Sequence, residues 1–127
     1  MTPESLFGKA YQATRSAQLL LESGDIEGAC DRAYYAMFNA ARAALVSTQA
    51  PVPPEIARTH GGLISAFSQY LVKTGKVSIE LGRALNKVED LRLIADYKGD
   101  VIEKDIATWA VNEANAFVEA MGMLCNR

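Results

Sequence analysis

The chain is short of most residues that announce chemistry. Of its 127 residues one is histidine, one is tryptophan and two are cysteine, Cys30 and Cys125. A single histidine excludes a multi-histidine metal centre, and the two cysteines fit no metal spacing. Each cysteine falls in a segment of helical pattern, so free thiols in a reducing compartment are expected rather than a disulfide. No uninterrupted apolar run approaches the roughly 20 residues that a membrane span needs. The opening MTPESLFGKA has neither an apolar signal core nor a cleavage site. A cytoplasmic protein with no membrane association is therefore expected. Excess charge is lacking too: the net charge of −2 gives no bulk reason for nucleic-acid binding, although a local basic cleft stays open. There is no Walker-type phosphate loop, no strand-led GxGxxG, and no HExxH, CxxC or GxSxG motif. No metal and no cofactor is implied.

What is present is apolar residue in helical register. Half the residues are hydrophobic, and a chain of this length buries roughly two-thirds of its unfolded surface, enough for a core without staples. One domain over residues 1–127 is the expectation. Thr2, Pro3 and Glu4 read as N-cap, first helical residue and early acid. Leu6, Ala10, Ala13, Ala17 and Leu20 then form a stripe that Gly24 can end. Asp25 can cap a second helix with the stripe Ile26, Cys30, Ala33, Met37, Ala41 and Ala44. APVPP, residues 50 to 54, removes three amide donors and predicts an extended interruption. A shorter helix follows Thr59, with Leu63, Ile64, Phe67, Tyr70 and Leu71 inward. TGK, residues 74 to 76, breaks it, and Ser78 opens the next. Gly99-Asp100 precedes a last helix with the stripe Ile106, Ala110, Ala114, Phe117, Met121 and Leu124. No strand-like alternation is seen. SGDIEGA followed by AYYAMFNA suggests a helical-repeat unit, but nothing like it returns one period later, and a solenoid needs about three repeats. The pattern predicts an all-α, up-and-down bundle of about five helices.

Three features carry candidate chemistry. In KVEDLRLIADYKGD, residues 87 to 100, a helix laid out at about 100° per residue places Arg92 within the apolar arc of Leu81, Leu85, Val88 and Leu91. A guanidinium there needs a carboxylate inside the fold or a cleft to face. Asp96 and Glu89 stand one turn to either side, so Arg92 either closes an internal ion pair or lines a site for phosphate. His60, in RTHGGLISAF, starts a helix in phase with Leu63, Ile64 and Phe67. It reads either as a hydrogen-bonded wall of the core or as a base able to accept a proton. Gly61 and Gly62 beside it permit close approach of a backbone. In DRAYYAMFNAARAAL, residues 31 to 45, Arg32, Tyr35, Asn39 and Arg42 form a polar stripe. The small and aromatic residues between them suggest close helix–helix packing, with Tyr34 and Phe38 structural.

RAYYAMFNAARAAL, THGGLISAF and RLIADY, in this order and at these separations, resemble the HEPN domain, most closely its small stand-alone prokaryotic branch. The likeness runs from about Leu6 to Met121. It implies a helical bundle that pairs as a homodimer, and for many members metal-independent RNA cleavage as toxins. The partner implied is a minimal nucleotidyltransferase antitoxin encoded alongside. In ribonuclease branches an R-x(4–6)-H motif from each protomer meets across the dimer. Arg92 maps onto the motif arginine, but positions 96 to 99 hold Asp96, Tyr97, Lys98 and Gly99, so the histidine is absent. The base role then falls to Asp96 or to a displaced His60. Tyr97 is the nearest match to a tyrosine that such partners modify with AMP, and Glu89 is a candidate groove residue. Two readings follow: a toxin or RNA-processing ribonuclease, or a non-catalytic dimeric module that binds a nucleotide or a partner in the same groove.

Overall fold

The computed structural model describes residues 2–95 and 101–125. Six α-helices account for most of them: α1 (Pro3–Ser23), α2 (Ile26–Ser47), α3 (Pro54–Ala57), α4 (His60–Phe67), α5 (Ile79–Leu93) and α6 (Lys104–Leu124). No strand occurs among the described residues. Side-chain caps set four of the starts. The Thr2 hydroxyl accepts from the Ser5 amide, Asp25 from Gly28, Thr59 from Gly62 and Ser78 from Leu81, each satisfying an amide that the helix itself leaves open. Gly24 ends α1 at φ +90°, where a side chain would be strained. Its amide and that of Asp25 turn back onto the Leu20 and Leu21 carbonyls, so α2 begins at once and folds back along α1.

The second helix is the axis of the bundle. It packs most extensively against α1 and α6, and on its remaining side against α5 and α4. Seven alanines of α2, from Ala29 to Ala44, are buried, and the absence of bulk lets neighbouring helix axes come close. Leu6, Phe7, Met37, Leu63, Leu85, Phe117 and Met121 fill one contiguous core, where Phe67 and Phe117 meet with ring centroids 5.4 Å apart. Cys30 is buried in α2, burial and the nearby Asp31 and Glu27 push its thiol up to about 11, and Cys125 follows α6; both are free thiols.

Several local expectations give way to the fold. The proline segment is extended only to Pro53. Pro54, which needs no amide donor as a first helical residue, opens the single turn α3. The helix after Thr59 does not run through Leu71 as one α-helix: from Ser68 to Val72 it widens into a π-helical turn, with the Lys73 amide reaching back to the Ser68 carbonyl at 2.9 Å. In α6 the expected stripe is buried at Ala110, Ala114, Phe117 and Met121, but the inward face is broader and begins later than expected. Ile106 is 41% exposed, and Ala107, Val111 and Val118 are buried. The polar stripe of α2 is half-buried, in keeping with the close packing expected there, with α4 and α5 against that helix. Gly99-Asp100 lies outside the described residues.

Candidate functional site

Arg92 answers the constraint that its place in the arc imposes. Its side chain is only 7% exposed, and its Nη2 lies 3.4 Å from Oε2 of Glu89, itself 13% exposed. The guanidinium also sits over two aromatic faces, with Cζ 4.9 Å from the Tyr34 ring centroid and 5.8 Å from that of Tyr35. Such stacking suits arginine, whose flat cation sheds water more readily than an ammonium. Burial works against its charge, but the Glu89 carboxylate and both tyrosines outweigh burial and hold Arg92 protonated above its usual range.

His60 reaches the same place from another helix. Its capping residue Thr59 and the close passage of Gly62 fix the first turn of α4. A Cβ on Gly62 would run into the Ile56 carbonyl and the Thr59 hydroxyl, whereas one on Gly61 would meet nothing within 4 Å. From that turn the imidazole packs among Tyr34, Tyr35 and Phe38, at centroid distances of 5.4, 6.0 and 5.3 Å. Its Nδ1 is 2.7 Å from the hydroxyl of Tyr34. Tyr34, fully buried, therefore stands between His60 on one edge and Arg92 on its face. Burial first, then the negative charge of Glu89, push the Tyr34 phenol far above its usual range, with Arg92 pulling the other way.

Three of the five candidate residues thus converge: Arg92 and Glu89 from α5, and His60 from α4. Asp96 and Tyr97 lie outside the described residues. Their meeting point, Tyr34, was expected to be structural only. The clue was available in principle, since a buried tyrosine needs a partner for its hydroxyl. Which partner depends on how α4 and α5 pack onto α2, and periodicity within one helix does not contain that.

Cations flank the cluster. On one side Arg32 lies with Cζ 5.0 Å over the Tyr35 ring, beside a cleft of about 360 Å³ lined by Lys9, Gln12, Asn39 and Tyr35. On the other, Arg42 lies 5.9 Å over Phe38, beside an apolar cavity of about 260 Å³. Burial and the neighbouring positive charge of Arg58 lower the Arg42 pKa. Among the described residues no carboxylate lies within 4.0 Å of Arg42 or Arg58, no group of histidine, cysteine and acidic side chains could hold a metal, and no helix is long and apolar enough to cross a membrane.

An all-α bundle with an arginine in the apolar arc of α5 is what the resemblance implied. The chain belongs to the HEPN domain family, whose model matches residues 3–124. A UPF0332 protein of Gloeobacter violaceus is 37% identical over 101 residues, spanning 78% of this chain and 76% of the relative. A UPF0332 protein of Thermotoga maritima is 31% identical over 119 residues, spanning 91% and 85%. The protein named "Putative toxin MJ0605" of Methanocaldococcus jannaschii is 32% identical over 116 residues, spanning 91% and 83%.

Proposed function

We propose that this protein is a toxin-type HEPN ribonuclease that cleaves RNA without a metal, as a homodimer held in check by a minimal nucleotidyltransferase. The observation that carries the reading is the convergence of His60 and Arg92 on Tyr34. In this reading His60 of α4 stands in for the missing motif histidine. It takes the proton of a ribose 2′-hydroxyl, and the 2′-oxygen attacks the adjacent phosphorus. Arg92 stabilises the charge that builds on the phosphoryl oxygens; the bond from phosphorus to the 5′-oxygen breaks, that oxygen takes a proton passed from His60 through water, and the products are a 2′,3′-cyclic phosphate and a free 5′-hydroxyl. Arg32 and Arg42, separated by about 15 Å along α2 at 1.5 Å per residue, would engage phosphates on either side, with Tyr35 offered to a base. Family membership and the provisional toxin names of relatives support the same class.

Incubating the purified protein with structured and single-stranded RNAs tests this directly. Wild type should leave cyclic-phosphate ends, and Arg92→Ala and His60→Ala should lower cleavage by at least a hundredfold. Intact RNA with wild type across many substrates would end the nuclease reading. One observation favours a second reading, a dimeric module that binds a nucleotide or partner without turnover. Arg92 is already engaged by Glu89 and two rings, an arrangement that suits holding as well as reacting. Retention of a nucleotide with no RNA cleavage would select it.

A further inference from the structure

We infer that the cavity where α2 meets the proline segment and α3 binds a small aliphatic carboxylate, its head on Arg42 and its apolar body inside. The walls are aliphatic: Leu6 from α1, Leu45 and Val46 at the end of α2, Val52 and Pro54 from the proline segment, and Ala57 from α3. They enclose about 260 Å³, just under the range of about 300–1,000 Å³ usual for small-molecule sites. Backbone bonds from the Ala50 amide to the Leu45 carbonyl and from Val52 to Ala50 pin the segment, so the space is preformed. Arg42 supplies the charged side chain of this lining. A guanidinium has five N–H donors, yet among the described residues that of half-buried Arg42 makes no hydrogen bond and no ion pair.

The chemistry of the ligand follows from these two parts. The flat fork of arginine takes both oxygens of a carboxylate side by side, and an aliphatic chain running on into the cavity leaves water for apolar walls. Apart from Arg42 the lining offers no polar side chain for the edge of a base or the hydroxyls of a sugar. Arg58, next in sequence to Ala57 of the wall, adds a second cation with no carboxylate within 4.0 Å among the described residues, which further favours an anion. The site is also joined to the cluster around Tyr34. Phe38, under Arg42, lies with its ring centroid 5.3 Å from that of His60, and the Thr59 hydroxyl donates to the Ile56 carbonyl of α3 at 2.9 Å. A ligand held on Arg42 keeps that guanidinium from an RNA phosphate, so occupancy weakens RNA binding. Only this consequence rests on the nuclease reading; the site itself is tested without RNA.

Titrating the full chain with hexanoate, followed by ¹³C methyl NMR, reads the site directly. The methyls of Leu45, Val46 and Val52 should shift together and saturate with a Kd of about 1 mM or tighter. Acetate lacks the apolar body and 1-hexanol lacks the charge, and each should bind at least about tenfold more weakly. Arg42→Met keeps an apolar stem and should lower hexanoate affinity at least about tenfold while leaving 1-hexanol binding unchanged. Ala57→Leu fills the cavity and should abolish the response to both. Circular dichroism and a thermal melt establish that each variant is folded, and Arg42→Met carries the test if Ala57→Leu does not fold. No saturation by about 10 mM hexanoate, 1-hexanol binding as tightly as hexanoate, or full hexanoate affinity in a folded variant overturns the inference. Saturable hexanoate binding by a protein that cuts no RNA would uphold the site and end the nuclease reading, whereas RNA cleavage without hexanoate binding would do the reverse.

Discussion

Removing Glu89 while leaving Arg92 in place is the sharpest test of how the site is held together. In Glu89→Ala a guanidinium that is 7% exposed loses the carboxylate 3.4 Å away. Breaking a buried ion pair by deleting one partner typically destabilises by about 3–5 kcal/mol. Two features of this pair reduce that figure. The contact is longer than a charge-assisted hydrogen bond of full strength, about 2.7–2.9 Å, and Arg92 keeps its faces on Tyr34 and Tyr35, worth up to about 2 kcal/mol when desolvated. The expected loss is therefore about 2–3 kcal/mol, which at roughly 3–4 °C per kcal/mol for a chain of this size lowers Tm by about 6–12 °C. Replacing both partners with apolar residues, as in Glu89→Leu with Arg92→Met, removes the buried cation together with its carboxylate and should stay within about 1 kcal/mol of wild type. Urea denaturation followed by circular dichroism measures wild type, Glu89→Leu, Arg92→Met and the double variant as one cycle, with Glu89→Ala beside them. A loss below about 0.5 kcal/mol for Glu89→Ala, or a double variant as damaged as the sum of its singles, would refute the coupling.

The two adjacent glycines should behave oppositely. Gly62→Ala drives a methyl into the Ile56 carbonyl and the Thr59 cap and should cost about 1–3 kcal/mol while shifting the His60 resonances; Gly61→Ala, in open space, should be neutral or stabilise by up to about 1 kcal/mol. Stability should also fall at high pH. Folded Cys30, raised to about 11, and Tyr34, raised further, hold protons that the unfolded chain releases near their ordinary values of about 8.5 and 10. Both contributions are complete below those values and decline above them, by up to about 1.4 kcal/mol per pH unit for each group. Tyr34→Phe should flatten the decline above pH ~10, as urea midpoints taken at several alkaline pH values will show. At pH 8 a thiol reagent should modify the half-buried Cys125 readily and the buried Cys30 only after denaturation.

The parts of the molecule that could be read in advance are those decided within a few residues. Thr2, Asp25, Thr59 and Ser78 all cap the helices assigned to them, and Gly24 adopts the left-handed turn expected of it, because capping is a contact between near neighbours in the chain. Arg92 was legible for a related reason: a charge inside an apolar arc demands a partner, and Glu89 was within reach on the same helix. Contacts between helices were not legible. The extra buried residues of α6, Ala107, Val111 and Val118, follow from how four helices share one axis. The π-helical turn at Ser68–Val72 was hidden as well, since the spacing of Phe67 and Leu71 suits either winding. The link from Tyr34 to His60 joins residues of α2 and α4, far apart in sequence, and only the assembled bundle brings them to 2.7 Å.

The contacts of α2 have a mechanical consequence. Walled by α1 and α6, it is the element whose amides should exchange slowest with solvent, and Tyr34 is anchored there. His60 and Arg92 arrive on α4 and α5, which touch each other little. The site is thus a hinge pin with two separately mounted leaves. Whatever engages His60 and Arg92 together meets two helices already braced on one buried tyrosine, so its load passes to the seams between those helices and α2.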